Sequence, residues 1–140
     1  MSDSDETERL IELLQSEGYK AKLLEGGVVE SGLGGFMISV ATFSTGTIQL
    51  HCGFGKDDDQ PFALADANAY NSKYRFAKVY LDEDGDISLT TDFLLDISLP
   101  EANRNISQIM SLFDGSIRLL REMMAEVRAR VESGAPPEQL

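Results

Sequence analysis

The sequence predicts an α+β domain in the order α-β-β-β-α-β-β-α, an antiparallel sheet packed by helices, and three patterns carry that prediction. Arg75 to Asp82 and Ile87 to Ile97 alternate apolar and polar residues on either side of Asp84-Gly85, the two-residue period of strands joined by a tight turn. Phe36 to Ala41 and Thr47 to Phe54 repeat that arrangement around Ser44-Thr45-Gly46. From Pro100 onwards apolar residues recur every three or four positions instead, the period of a helix.

The 140 residues are the size of one domain with one core, placed at residues 1–133, with a flexible tail over 134–140 that carries two prolines. After a frayed start over residues 1–4, a helix is expected from Asp5 to Glu17. Leu10, Ile11, Leu13 and Leu14 form its apolar stripe, Asp5 with Glu8 resembles a capping box, and Gly18 stops it. Tyr19, Ala21 and Leu23 then alternate with two lysines, and Val28-Val29 begins or continues a strand after the Gly26-Gly27 turn. The glycines of SGLGG, residues 31–35, lack the Lys-Ser or Lys-Thr of a phosphate loop and precede a strand, so they read as a turn.

In the hairpin that follows, Ile48, Leu50, Cys52 and Phe54 share one face while Thr47, Gln49 and His51 share the other. The single His and single Cys therefore point to opposite sides of a sheet. A cysteine nucleophile activated by that histidine is excluded, and a His/Cys metal centre lacks ligands. After the charged loop 55–60, Pro61 opens a helix to Lys73, with Phe62, Leu64, Ala65, Ala69 and Tyr70 on its inner side. In the central hairpin Phe76, Lys78 and Tyr80 face one way and Ala77, Val79 and Leu81 the other. Ile87, Leu89, Phe93, Leu95 and Ile97 share a face interrupted only by Thr91.

The turn Asp82-Glu83-Asp84-Gly85-Asp86 gathers carboxylates as a calcium site does, yet the helical calcium loop needs Glu at the twelfth place, and that place holds Phe93. Asp57 to Asp59 together with Asp82 to Asp86 would make a composite cation site and the one enzymatic alternative. Acidic loops kept in water are the simpler reading, so no metal and no cofactor are assigned.

The last helix, from about Glu101 to Glu132, carries an unbroken heptad seam from Ile106 to Val131. Ile109, Leu112, Leu119 and Met123 widen it in its first part only. At 1.5 Å per residue it is about 48 Å long, more than a domain of this size is wide. Its narrow second half, Ile117, Leu120, Met124, Val127 and Val131, is therefore expected to meet a second copy of the chain, with Gly115 as the place for a bend.

Twelve basic residues against 24 acidic ones give a net charge of −12, which repels nucleic acid and anionic membranes and favours a basic protein partner. No apolar run approaches the ~20 residues of a membrane span, the acidic N-terminus is not a secretory signal, and a lone Cys52 suits a reducing, cytoplasmic setting.

Asn68, Tyr70 and Asn71 at a helix end, then Arg75-Phe76, a strand, and the turn Leu81-Asp82-Glu83-Asp84-Gly85 resemble the signature of the YbjN family of bacterial sensory transduction regulators. The family more usually has Trp where this chain has Tyr70. The order of elements is similar to type III secretion chaperones, small acidic dimers that bind extended segments of other proteins. The resemblance implies a non-enzymatic, homodimeric, chaperone-like regulatory module with no catalytic residues, or a dedicated secretion chaperone for one client. Asn68, Asn71 and Arg75 are expected to cap the helix and pin the hairpin, with a ligand site as the alternative.

Overall fold

The computed structural model describes residues 3–43, 46–55 and 60–134. Three helices, α1 (Asp3–Ser16), α2 (Leu64–Lys73) and α3 (Ala102–Glu132), accompany six strands, β1 (Ala21–Leu23), β2 (Val29–Leu33), β3 (Phe36–Phe43), β4 (Thr47–Phe54), β5 (Lys78–Leu81) and β6 (Ile87–Leu94). The strands make one antiparallel sheet in the order β1-β2-β3-β4-β6-β5. Four strands precede α2 where three were expected. The stretch from Ala21 to Leu33 is not one strand but two, parted by a 3-10 turn at Glu25–Gly27.

The period-2 pattern decides which sheet face is covered. Val40, Leu50 and Thr91 are cross-strand neighbours and all are buried, as are Val79, Leu89 and Cys52. Onto that face pack Leu10, Leu13 and Leu14 of α1 and the apolar stripe of α3. Thr91, the polar interruption foreseen in β6, is buried with its Oγ1 donating to Phe76 O at 2.9 Å. The opposite face carries Met37, Ser39, Gln49, His51, Thr90 and Tyr80, none of them buried.

Three further expectations change. First, α2 begins at Leu64 rather than at Pro61. Gln60 Oε1 and Asp66 Oδ2 accept the Phe62 and Ala63 N–H groups, so the start is fixed after the proline. Leu64 and Ala65 consequently face solvent, while Phe62, Ala69 and Tyr70 are buried as expected and Asp66 and Ala67 join them. Second, the strand expected from Arg75 begins only at Lys78, because Phe76 stands at φ +78°, outside extended geometry.

The third change concerns the α3 seam. Ile117, Leu120 and Val127, assigned to an interface with another chain, are at most 2% exposed within this one. Met124 is half-buried, and of the five only Val131 lies open. The cover comes from the chain's own α2 and sheet. Tyr70 Oη donates to Ser116 O at 3.0 Å, the Arg121 guanidinium lies 4.7 Å from the Phe36 ring centre, and Arg130 pairs with Asp66 at 2.9 Å. The helix continues unbroken through Gly115.

Candidate functional site

The residues singled out by the sequence motif lie where α2 ends and β5 begins. Tyr70 is fully buried and joins α2 to α3 through its hydroxyl; burial raises its phenol pKa, and the hydrogen bond to Ser116 opposes that shift. Asn71 looks the other way along the chain. Its Nδ2 donates to Val79 O and its Oδ1 accepts the Val79 N–H, both at 2.9 Å. Val79 sits on the edge strand β5, so the Asn71 amide supplies the peptide-like partner that a further strand would have offered. Asn68 is exposed on the same helix.

Between α2 and β5 the backbone turns sharply. The Ala77 N–H donates to Arg75 O at 3.1 Å across Phe76, an i to i+2 bond which, with φ +78°, makes a γ-turn of the strained hand. Phe76 is the one non-glycine residue at positive φ among the described residues, and its side chain is 53% exposed. Thr91 Oγ1 holds the Phe76 carbonyl, so the buried polar residue of β6 is what keeps this turn in place. Strain at a bulky residue persists only where the surroundings over-determine it, and such places are enriched in function.

The turn borders a groove of about 390 Å³. Its walls are Lys73, Tyr74, Arg75 and Phe76 on one side and Leu112, Gly115 and Leu119 of α3 on the other. Lys73 Nζ stands 5.4 Å from the Tyr74 ring centre and the Arg75 guanidinium 5.5 Å from that of Phe76, so both cations rest against rings. Neither has a carboxylate partner among the described residues. Tyr74 carries no signal in the sequence. Leu112 and Leu119, seven apart, show there as a widening of the core stripe and Gly115 as a place for a bend, and neither pattern announces a groove.

The acidic turn is a separate feature at the other end of β5. Asp82 Oδ1 accepts the N–H groups of Asp84 and Asp86, both at 2.9 Å, and Gly85 takes φ +84°. Carboxylate oxygens of Asp82, Asp84 and Asp86 lie within 4.8 Å of one another. The turn's own hydrogen bonds account for the place of Asp82. Asp57 to Asp59, the other half of the composite cation site, lie outside the described residues, as do Ser44-Thr45 and the tail 135–140. Cys52 and His51 face opposite sides of the sheet, and burial pushes the Cys52 thiol up to about 11, far from a nucleophile's range.

A family model described as "Putative bacterial sensory transduction regulator", YbjN, matches residues 6–139. The chain belongs to the YbjN family. Among curated proteins none matches this YbjN chain. Among solved structures it is similar to the Yersinia pestis type III secretion chaperone SycH, crystallised in complex with a stable fragment of YscM2. The two share 17% identity with a TM-score of 0.52, over 81% of this chain and 98% of SycH. At that identity the likeness establishes the fold, a mixed α+β chaperone-like architecture. No helix among the described residues is long and apolar enough to cross a membrane.

Proposed function

We propose that this YbjN protein is a non-enzymatic protein-binding module, chaperone-like in shape and regulatory in role, that acts as a homodimer in the cytoplasm. The observation that carries this reading is the bare face of the sheet. The core lies on the other face, and on this one Met37, Phe43, Tyr80 and Leu94 stand between 46% and 86% exposed. A sheet face holding large apolar side chains in water is a surface awaiting a partner.

The charges of that face favour a second copy as one partner. Lys22 and Lys78 stand with Glu30 and Asp92 on it, a balanced set within a chain of net charge −12. Two such chains repel least where their surplus acid is absent. A SycH-like fold supports the further step to a protein partner, since SycH itself was crystallised with one. A dedicated secretion chaperone for one client is the second reading, favoured by the same likeness.

Light scattering at several concentrations tests the dimer. The wild-type chain is expected at twice its 15.4 kDa mass. A chain carrying Met37→Glu and Leu94→Glu is expected at the monomer mass with unchanged circular dichroism, because neither residue belongs to the core. A wild-type chain that stays monomeric sinks the homodimer.

A further inference from the structure

The groove between the end of α2 and the middle of α3 differs from the bare sheet face in chemistry. Its walls hold two cations and no carboxylate, although acidic residues outnumber basic ones two to one in the whole chain. Both cations are exposed, seated against rings that line the groove, and without acidic partners among the described residues. Behind them the wall is apolar, with Leu112 38% exposed and Leu119 partly so. At Gly115 an added Cβ would meet nothing within 4 Å, so the space against the α3 backbone is open to an incoming group.

The strained γ-turn adds a second observation. A bulky residue held at positive φ presents its ring at the groove's border instead of continuing the strand inward from Arg75.

We propose that this groove is the docking site for an acidic, leucine-bearing segment of a partner protein. Apolar side chains of the segment sit over Gly115 between Leu112 and Leu119, and its carboxylates meet Lys73 and Arg75. Charge selects the occupant: a basic segment brings cations onto cations, whereas an acidic one finds a groove wall free of its own sign. This deepens the protein-binding reading above and rests on it, while the dimer occupies the other side of the molecule.

Two short fluorescein-labelled peptides test it, with the same leucine spacing and either glutamate or lysine at the remaining positions, titrated into the full chain by fluorescence anisotropy. The glutamate peptide is expected to bind at least about tenfold more tightly than the lysine one and to weaken as salt rises. Gly115→Leu, which fills the groove, and the pair Lys73→Glu with Arg75→Glu, which reverses its charge, are each expected to weaken the glutamate peptide by about tenfold or more. Lys20→Glu, beside β1 at the opposite edge of the sheet, leaves it unchanged. All these positions are exposed or open, so the variants fold, and Gly115→Leu is expected to melt no lower than wild type.

Equal binding of the two peptides, or binding indifferent to Gly115→Leu, overturns the proposal. So does a fall in solution mass with Gly115→Leu, which would make a second copy the occupant. The light-scattering mass of the Met37 and Leu94 variant reports separately on the dimer, so either reading can fail without the other.

Discussion

The two edges of the sheet solve one problem in different ways. β5 is covered: α2 lies beside it, and a single side chain, Asn71, takes both outward groups of Val79. β1 is guarded by being short and charged. It has three residues, with Lys20 and Lys22 about it, and Lys22 pairs with Glu30 at 3.3 Å. Ser31 Oγ donates to Lys20 O at 2.7 Å and Gln15 Nε2 to Ala21 O at 3.3 Å, so its hydrogen bonding is spread over several residues. Protection concentrated in one amide fails with one substitution, and protection spread along an edge does not.

The largest break in that comparison is expected from Tyr70→Ala. Removing a fully buried ring from the α2–α3 contact unseats the helix that covers β5, at a cost of about 3–5 kcal/mol in urea unfolding. Tyr70→Phe, which loses only the bond to Ser116 O, is expected to cost about 1 kcal/mol. Asn71→Ala comes next. It leaves the Val79 N–H and C=O without partners, which costs about 2–3 kcal/mol, and it opens an edge, so aggregates are expected by light scattering where the wild type shows none.

At the other edge Ser31→Ala removes one hydrogen bond and is expected to cost about 1 kcal/mol without aggregation. If it aggregates as readily as Asn71→Ala, the distinction between the edges falls. The smallest effect is chemical. With its thiol pKa raised by burial from 9.0 to about 11, Cys52 on β4 contributes stability that is whole below pH 9 and fades as pH rises towards 11. Labelling by a disulfide reagent at pH 8 is therefore expected to follow global unfolding alone, and the edge substitutions speed it only as far as they lower stability.

What the sequence made legible was local. The alternation of Val79, Leu89, Leu50 and Cys52 named the inner face, and Asp84-Gly85 named the turn, because neighbours in the chain decide both. Asn71 is expected to cap the helix and pin the hairpin, and its amide bonds β5, eight residues ahead, rather than its own helix. No periodicity shows that a helix will lie along a strand edge. The α3 period was legible and its partner was not. A heptad seam specifies one apolar stripe, and whether α2 of the same chain or another chain covers Ile117 and Leu120 depends on contacts distant in sequence. Phe76 gave no sign of positive φ, since nothing but glycine advertises that geometry.

The embrace of α1 by the far end of the chain bears on how the protein is made. Arg9 Nε donates to Ile97 O at 3.1 Å, Asn103 Nδ2 donates to Ser16 Oγ at 2.7 Å, and the Leu10, Leu13 and Leu14 stripe shares its core with residues as late as Val127. The leucine stripe of α1 is thus fully covered only once α3 has been made. During synthesis those leucines stay open until α3 has emerged, and contacts 87 and 88 residues apart must close before the core is complete.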